Sequence, residues 1–184
     1  LTQQYTRTFG GTLGGAIVKD KLFYFVSAES KKESYPSSVY PGYTSEYITP
    51  DVAAQIANQY KKLTGFDEAY GQRNVDQKSF GLLARIDWNI NKDHKLALRY
   101  QHNDSYDDNY SPGTYSYVFN NSGYRMNNKT NSIVAELNSH LGQNLYNEFR
   151  ASASFIRDHR DVAYQGPTVQ ISNILGGDGS TKIT

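Results

Sequence analysis

The most regular feature of the sequence is a strict alternation of apolar and polar positions over residues 80–90. Apolar side chains recur there at every second position, at Phe80, Leu82, Ala84, Ile86, Trp88 and Ile90. Because successive side chains of a strand point to opposite faces of a sheet, this period predicts a strand with one apolar face. A polar turn at residues 91–95 follows, and alternation resumes at Leu96. The pattern therefore predicts a β-hairpin.

Two further hairpins follow from the same pattern. One combines residues 132–141 with residues 149–155 around a short turn at 142–144. The other covers residues 9–26, turns at 19–21 and is rich in glycine, which is expected to allow a close approach to the sheet. The sequence thus predicts about six antiparallel strands.

The connections between these hairpins are long and polar. They cover roughly residues 33–78, 105–130 and 160–184 and are rich in Tyr, Asn, Ser, Gly and Pro. Loops of this length are uncommon in compact domains and usually have a function. Strands joined alternately by tight turns and long polar loops, with charged residues opposite each apolar row, are typical of outer-membrane β-barrels.

One short helix is predicted inside the first long connection, near residues 50–63. Thr49, Pro50 and Asp51 follow one another in the order of an N-cap, a first-turn proline and an acidic first turn. Gly65 is the expected stop. The apolar side chains expected on the buried face are Val52, Ile56, Tyr60 and Leu63.

A membrane barrel and a soluble β-sandwich both account for the alternation. In a barrel the apolar row faces lipid and Arg85 and Asp87 face the interior, whereas in a sandwich the row is packed inside and the charges face solvent. Loop asymmetry and aromatic residues beside the short turns favour the barrel. The aromatic residues expected to form a girdle at one membrane interface are Phe23, Tyr24, Trp88 and Tyr146. The predicted fold class is all-β: an antiparallel transmembrane β-barrel segment of about six strands, with short periplasmic turns and long extracellular loops.

Composition removes several function classes. The 184 residues carry 19 Lys and Arg against 18 Asp and Glu, so no charge excess attracts nucleic acid. The chain has no Cys, which excludes disulfides, thiol catalysis and Cys-based zinc sites. A hydrolase using Asp87 and Glu136 has little support, because nothing fixes the separation of the two carboxylates. We therefore expect no enzyme and no cofactor.

Metal binding is not expected either. The four histidines lie in different strands and turns. Asp104, Asp107 and Asp108 crowd the far end of the second hairpin and are weak calcium candidates, but their spacing is not that of an EF-hand loop. A solvated loop explains them more simply.

Tyrosines of the long loops are the candidate substrate-binding residues. These are Tyr43 and Tyr47 in the first loop and Tyr106, Tyr110, Tyr115 and Tyr117 in the second. Tyr offers a rigid amphipathic contact surface for peptides, glycans or proteins. Packing of neighbouring loops against each other is the alternative explanation.

Two segments resemble a known family. Residues 9–25, FGGTLGGAIVKDKLFYF, closely resemble the first barrel hairpin of Oar-like TonB-dependent receptors, in which Ala16 is usually Pro and Tyr24 often Phe. Residues 80–96, FGLLARIDWNINKDHKL, are similar to that family's R-[IL]-D-W-N-I-N-x-x-H-K-L hairpin. The resemblance covers roughly residues 5–105.

The resemblance implies that residues 1–184 are part of a barrel of about 22 strands closed around a plug, with the plug and the remaining strands absent. It implies transport of a bulky solute or polypeptide across the outer membrane of a Gram-negative bacterium. The implied partners are outer-membrane lipid, the rest of the barrel and plug, the TonB complex through the missing parts, and a surface lipoprotein or polypeptide substrate; nucleic acid is not among them. The alternative is a soluble or cell-surface β-sandwich that binds a glycan or protein.

Overall fold

The computed structural model describes residues 3–38, 40, 48–110, 116–119, 123–162, 170–173 and 181–183. Within these residues the chain forms nine strands and one helix. The elements are β1 (Tyr5–Val18), β2 (Leu22–Pro36), α1 (Pro50–Thr64), β3 (Asn74–Asn89), β4 (His94–Asn109), β5 (Ser116–Val118), β6 (Tyr124–Leu141), β7 (Leu145–Val162), β8 (Gln170–Asn173) and β9 (Thr181–Ile183).

Six long strands form one antiparallel sheet in the order β1-β2-β3-β4-β6-β7. The predicted all-β class and the three hairpins are therefore confirmed. The sheet is open rather than closed, because within the described part of the chain β1 pairs only with β2 and β7 only with β6.

A second sheet of three short strands, in the order β5-β8-β9, lies in segments that the sequence predicted as loops. Residues 116–118 pair with residues 170–172, so the last two long connections meet each other. Strands this short carry too few alternating positions for a period of two to be recognised.

The long strands also extend further than predicted, at the end opposite the tight turns. Residues 105–109 and 124–130 were expected in a loop, but they are the paired ends of β4 and β6. The alternation of apolar and polar residues is missing from these ends because both faces of the sheet are polar there. Cross-strand pairs such as Asp108 with Arg125 nevertheless continue the register.

Two tight turns fall where the sequence predicts them. At residues 19–21, Asp20 has a φ of 61° and the Lys21 amide donates to the Val18 carbonyl at 3.1 Å. The turn at 142–144 begins with Gly142 at a φ of 76°, the left-handed region that glycine enters without steric cost.

The third turn is shorter than predicted. The strands end at Asn89 and resume at His94, so residues 90–93 make the connection. The Asn91 side-chain oxygen accepts from the amides of Asp93 and His94 at 2.8 and 2.9 Å. This side-chain capping satisfies the amides of the turn and lets β4 begin at His94, two residues before the predicted start at Leu96.

The predicted helix is confirmed with its caps. The Thr49 hydroxyl accepts from the Val52 amide at 3.4 Å, and Gly65, at a φ of 78°, donates to the Lys61 carbonyl at 2.8 Å. No helix in the described residues combines the length and apolar character needed to cross a bilayer.

The predicted buried face of α1 is confirmed for Ile56 and Tyr60 and wrong for Val52 and Leu63. Ala53 and Ala57 are buried along with Tyr60, whereas Val52 lies at the surface and Leu63 is 85% exposed. The packed cluster comprises Ile48, Ala53, Ala57 and Phe119, with Tyr40 and Ile56 against it. The small alanines allow the helix backbone to approach the fully buried Phe119 ring, so the first and second long connections pack together.

Candidate functional site

The large sheet has two chemically different faces. The register places alternate residues of all six strands on each face. What we call the apolar face carries Phe9, Leu13, Tyr24, Val26, Phe80, Leu82, Ala84, Ile86, Trp88, Leu96, Leu98, Tyr100, Ile133, Ala135, Leu137, Phe149 and Phe155. We call the opposite side the polar face.

The apolar face is not covered by any described element. Ile86 and Trp88, near the middle of the sheet, are 42% and 45% exposed, and Phe9 and Phe155, towards its edges, reach 73% and 69%. A soluble sandwich buries the corresponding residues under a second sheet about 10 Å away. In the described part of the chain, the apolar row is therefore one surface of a single layer.

The polar face carries a network of charged side chains near the tight turns. Arg85 donates two hydrogen bonds to Asp87 at 2.8 and 2.7 Å, and Arg150 donates to Glu136 at 2.7 Å. Arg99 lies directly opposite Arg85 in the register. An open groove of about 440 Å³ is lined by Arg85, Arg99, Glu136 and Arg150 together with Ala97, Val134 and Ser152.

Arg99 is the unmatched charge of this groove. It forms no ion pair with any described residue, whereas Arg85 and Arg150 each hold a carboxylate. Like charges directly opposite in a sheet are destabilising. The groove therefore suits an incoming carboxylate or carbonyl oxygen that contacts the Arg99 guanidinium.

A second polar site lies at the far end of the sheet, where arginines stack on tyrosines. Arg125 lies 4.0 Å from the Tyr106 ring and donates to Asp108 at 2.7 and 3.2 Å. The pKa of Arg125 is raised, chiefly by these hydrogen bonds. Arg73 lies 4.5 Å from the Tyr110 ring. The stacking holds the Tyr106 ring near the end of β4 and the Tyr110 ring just beyond that end.

The predicted binding tyrosines are distributed differently from the expectation. Tyr106 lies inside β4 rather than in a loop, Tyr110 follows that strand, and Tyr117 lies in β5. The other three, Tyr43, Tyr47 and Tyr115, lie outside the described residues.

The arginines that hold Tyr106 and Tyr110 were not identified from the sequence. Arg73 precedes β3 and Arg125 begins β6, so each is far along the chain from its tyrosine. Only the pairing of β4 with its neighbours brings them together. No local sequence pattern links Arg73 to Tyr110 or Arg125 to Tyr106.

Of the four residues predicted to form an aromatic girdle, Tyr24 and Trp88 share one face of the sheet. Both lie on the apolar face near the tight turns, where Tyr24 is paired with Ile86. Phe23 is opposite Asp87 and therefore lies on the polar face. Proximity to a turn was the basis of the prediction, but adjacent residues of a strand point to opposite sides.

Tyr146 also departs from the predicted girdle. It is paired with His140 on the polar face, and the two rings meet edge to face with centroids 5.2 Å apart. Its hydroxyl donates to the side-chain oxygen of Asn138. Tyr146 thus packs within the polar face and does not join Tyr24 and Trp88.

The calcium candidates occupy separate positions on β4. Asp104 pairs with Lys129 at 3.0 Å and Asp108 pairs with Arg125 at 2.7 Å, whereas the odd-numbered Asp107 lies on the opposite face. Among the described residues, no group of three or more His, Asp or Glu side chains is placed to hold a metal ion. Two of these aspartates instead form cross-strand ion pairs.

Comparisons with known proteins do not extend this picture: no family model, no curated protein and no solved structure matches the chain. What is established is the architecture, an open six-stranded antiparallel sheet with an exposed apolar face, a charged face and long connections gathered at one end.

Proposed function

We propose that this chain is a segment of the wall of an outer-membrane β-barrel, and that the complete barrel is a TonB-dependent transporter of a bulky solute or polypeptide. The observation that carries the proposal is the continuous apolar face of a sheet that remains a single layer, with charged groups on its other side. Contact of such an apolar surface with water is unfavourable, whereas its contact with lipid hydrocarbon is favourable.

The dimensions of the apolar face support a membrane location. On β3 it runs from Phe80 to Trp88, which is nine residues. A tilted membrane-spanning strand needs about 9–11 residues. Hydrogen bonding between neighbouring strands satisfies the backbone groups that hydrocarbon would leave unpaired. In this proposal Tyr24 and Trp88 lie at the periplasmic interface, and Arg85 and Arg99 face the interior.

The connections and the motifs support the identity of the barrel. Short turns join the strands at one end and long connections at the other, the asymmetry expected of periplasmic turns and extracellular loops. The segments that resemble Oar-like TonB-dependent receptors, 9–25 and 80–96, correspond to the β1-β2 and β3-β4 hairpins, which are neighbours in the sheet. In the proposal, Tyr106 and Tyr110 lie on the extracellular side, where substrate is first contacted.

The alternative, a soluble or cell-surface sandwich that binds glycan or protein, has no structural observation in its favour. It needs a second layer on the apolar face, and none of the described elements packs there. Trp88 and Ile133 would then be left in water at 45% and 50% exposure.

The absence of Cys allows a direct test with single spin labels. Ala135 lies on the apolar face and its neighbour Val134 lies on the polar face, so Ala135→Cys and Val134→Cys form a matched pair. The labelled chain is reconstituted into phospholipid vesicles, and each label's collisions with oxygen and with a water-soluble nickel chelate are measured. We expect the label at position 135 to favour oxygen and the label at 134 to favour nickel.

Two results would overturn the proposal. One is a chain that stays monomeric in buffer without detergent and does not enter the vesicles. The other is a label at position 135 that collides with the nickel chelate as often as the label at 134. Aggregation in buffer that detergent reverses supports the proposal, as does alternation of the two labels.

A further inference from the structure

Three cations on neighbouring strands form a row across the apolar face, just beyond the apolar side chains. Arg7 of β1 is directly opposite Lys32 of β2, and Lys32 is directly opposite Lys78 of β3. Neighbouring strands lie about 4.8 Å apart, so the backbone positions of Arg7 and Lys78 are about 10 Å apart, with Lys32 between them. We call Arg7, Lys32 and Lys78 the cation row.

The cation row forms no ion pair with the described residues. Arg7 and Lys32 both contact the Tyr5 ring, at 5.0 and 6.0 Å from its centroid. Asp76, two positions along β3 from Lys78, is the one carboxylate on the same face of β1, β2 and β3 beyond the apolar side chains. Tyr5 and Asp76 both stabilise the charge of Lys32, but a single carboxylate faces three cations, so a net positive charge remains that attracts an added anion.

On β4 and β6, at the same end of the sheet, cations are paired with carboxylates. Lys129 pairs with Asp104 at 3.0 Å, and Arg125 pairs with Asp108 at 2.7 Å. These pairs also join adjacent strands on the same face. The cations of β4 and β6 at this end of the sheet therefore form ion pairs, whereas Arg7, Lys32 and Lys78 form none with the described residues.

The distance of the cation row from the last apolar side chains indicates which kind of anion the row would bind. Phe9 and Phe80 are the last apolar side chains of β1 and β3 on this face, and the row lies two residues beyond them, about 7 Å along the strand. In a bilayer about 30 Å of hydrocarbon is flanked by headgroups that bring the total to about 40–45 Å, so each headgroup layer is about 5–7.5 Å deep and the cation row falls within it. An anion held here belongs to a molecule whose tails contact the apolar face.

We propose that Arg7, Lys32 and Lys78 bind the phosphate of an anionic membrane lipid whose acyl chains lie against Phe9 and Phe80. The inference rests on the proposed membrane location. Phosphate is favoured because its oxygens accept hydrogen bonds from Arg and Lys together, and the spacing across three strands presents all three donors to one headgroup.

The test measures lipid binding to the chain in detergent micelles by native mass spectrometry. Phosphatidic acid is titrated against phosphatidylcholine with identical acyl chains. Lys32→Gln is compared with Lys31→Gln, because Lys31 is the adjacent residue, lies on the opposite face and already pairs with Glu33 at 2.8 Å. We expect phosphatidic acid to be preferred, and Lys32→Gln to weaken its binding at least about fivefold while Lys31→Gln does not.

The outcomes separate this inference from the proposed function. Equal binding of the two lipids, or equal loss in both variants, overturns the cation row as a lipid site while leaving the membrane location intact. A chain that takes up no detergent or lipid contradicts the membrane location itself. Displacement of phosphatidic acid by millimolar inorganic phosphate would identify a site for free phosphate and overturn the assignment to lipid.

Discussion

Arg125 of β6 holds Asp108 of β4 by two hydrogen bonds while its guanidinium lies 4.0 Å from the ring of Tyr106. The contact joins two strands in the region where the apolar pattern has already ended. It shows that charged and aromatic pairs continue the sheet where hydrophobic contacts no longer do so.

The Arg125 contact yields a stability prediction. Arg125→Ala removes both hydrogen bonds and leaves Asp108, whose side chain is only 15% exposed, without its partner. We expect a loss of about 1–2 kcal/mol in the free energy of unfolding, measured by chemical unfolding in detergent. The control is Lys129→Ala, because the Lys129 and Asp104 side chains are 54% and 48% exposed and their pair contributes less than about 1 kcal/mol. Equal losses would contradict the special role of Arg125.

A second prediction concerns the glycines of β1. A Cβ at Gly14 would lie 3.1 Å from the Phe25 ring and 3.1 Å from the Tyr24 carbonyl, whereas a Cβ at Gly11 would have no neighbour within 4 Å. Gly14→Val is therefore expected to cost about 1–3 kcal/mol through overpacking and to hinder assembly of the sheet. Gly11→Val should leave stability unchanged or raise it, since Val favours strands. Normal folding yield and membrane levels of Gly14→Val would refute the prediction.

Phe119 provides a local stability prediction for the long connections. Its ring is fully buried against α1, so Phe119→Ala should destabilise that cluster by about 3–5 kcal/mol. The cluster contains no residue of the six long strands, so we expect faster proteolysis near α1 but unchanged protection of β3 and β4 in hydrogen exchange. Leu63→Ala, at a residue 85% exposed on the same helix, should have no effect. Loss of protection throughout the sheet would show that the connections and the sheet fold as one unit.

Trp88 allows a test of interface depth, because it is the only Trp of the chain. In vesicles we expect its fluorescence to be quenched most strongly by lipids brominated near the headgroup, the depth at which interfacial aromatic residues reside. The control combines Trp88→Phe with Phe23→Trp, which moves the fluorophore from the apolar face to the polar face. Quenching of equal strength at position 23 would contradict the assignment of faces.

Much of the sheet could be predicted from the sequence because a period of two encodes a face directly. The row from Phe80 to Trp88 identified a strand, and the residues at 19–21 and 142–144 identified two turns through their backbone preferences. The helix boundaries were also readable, since Thr49 and Gly65 act on backbone groups a few residues away. These are local interactions, and a linear sequence contains them.

The candidate sites were less predictable because their residues meet only through strand pairing. Arg7, Lys32 and Lys78 are far apart in the sequence, and no local pattern signals that they form one row. Phe23 and Tyr146 were expected beside Trp88 from their distance to a turn, but the register puts them on the other face.

By itself, the sequence determined that this protein is built from amphipathic hairpins with tight turns, long polar connections and one capped helix. Only the tertiary structure decided how far the strands extend, which of their residues become neighbours across the sheet, and that Phe119 meets the alanines of α1. The physical reason is the range of the interactions. Alternation and capping act between residues close along the chain, whereas ion pairs, ring stacking and burial depend on which distant segments the register brings together.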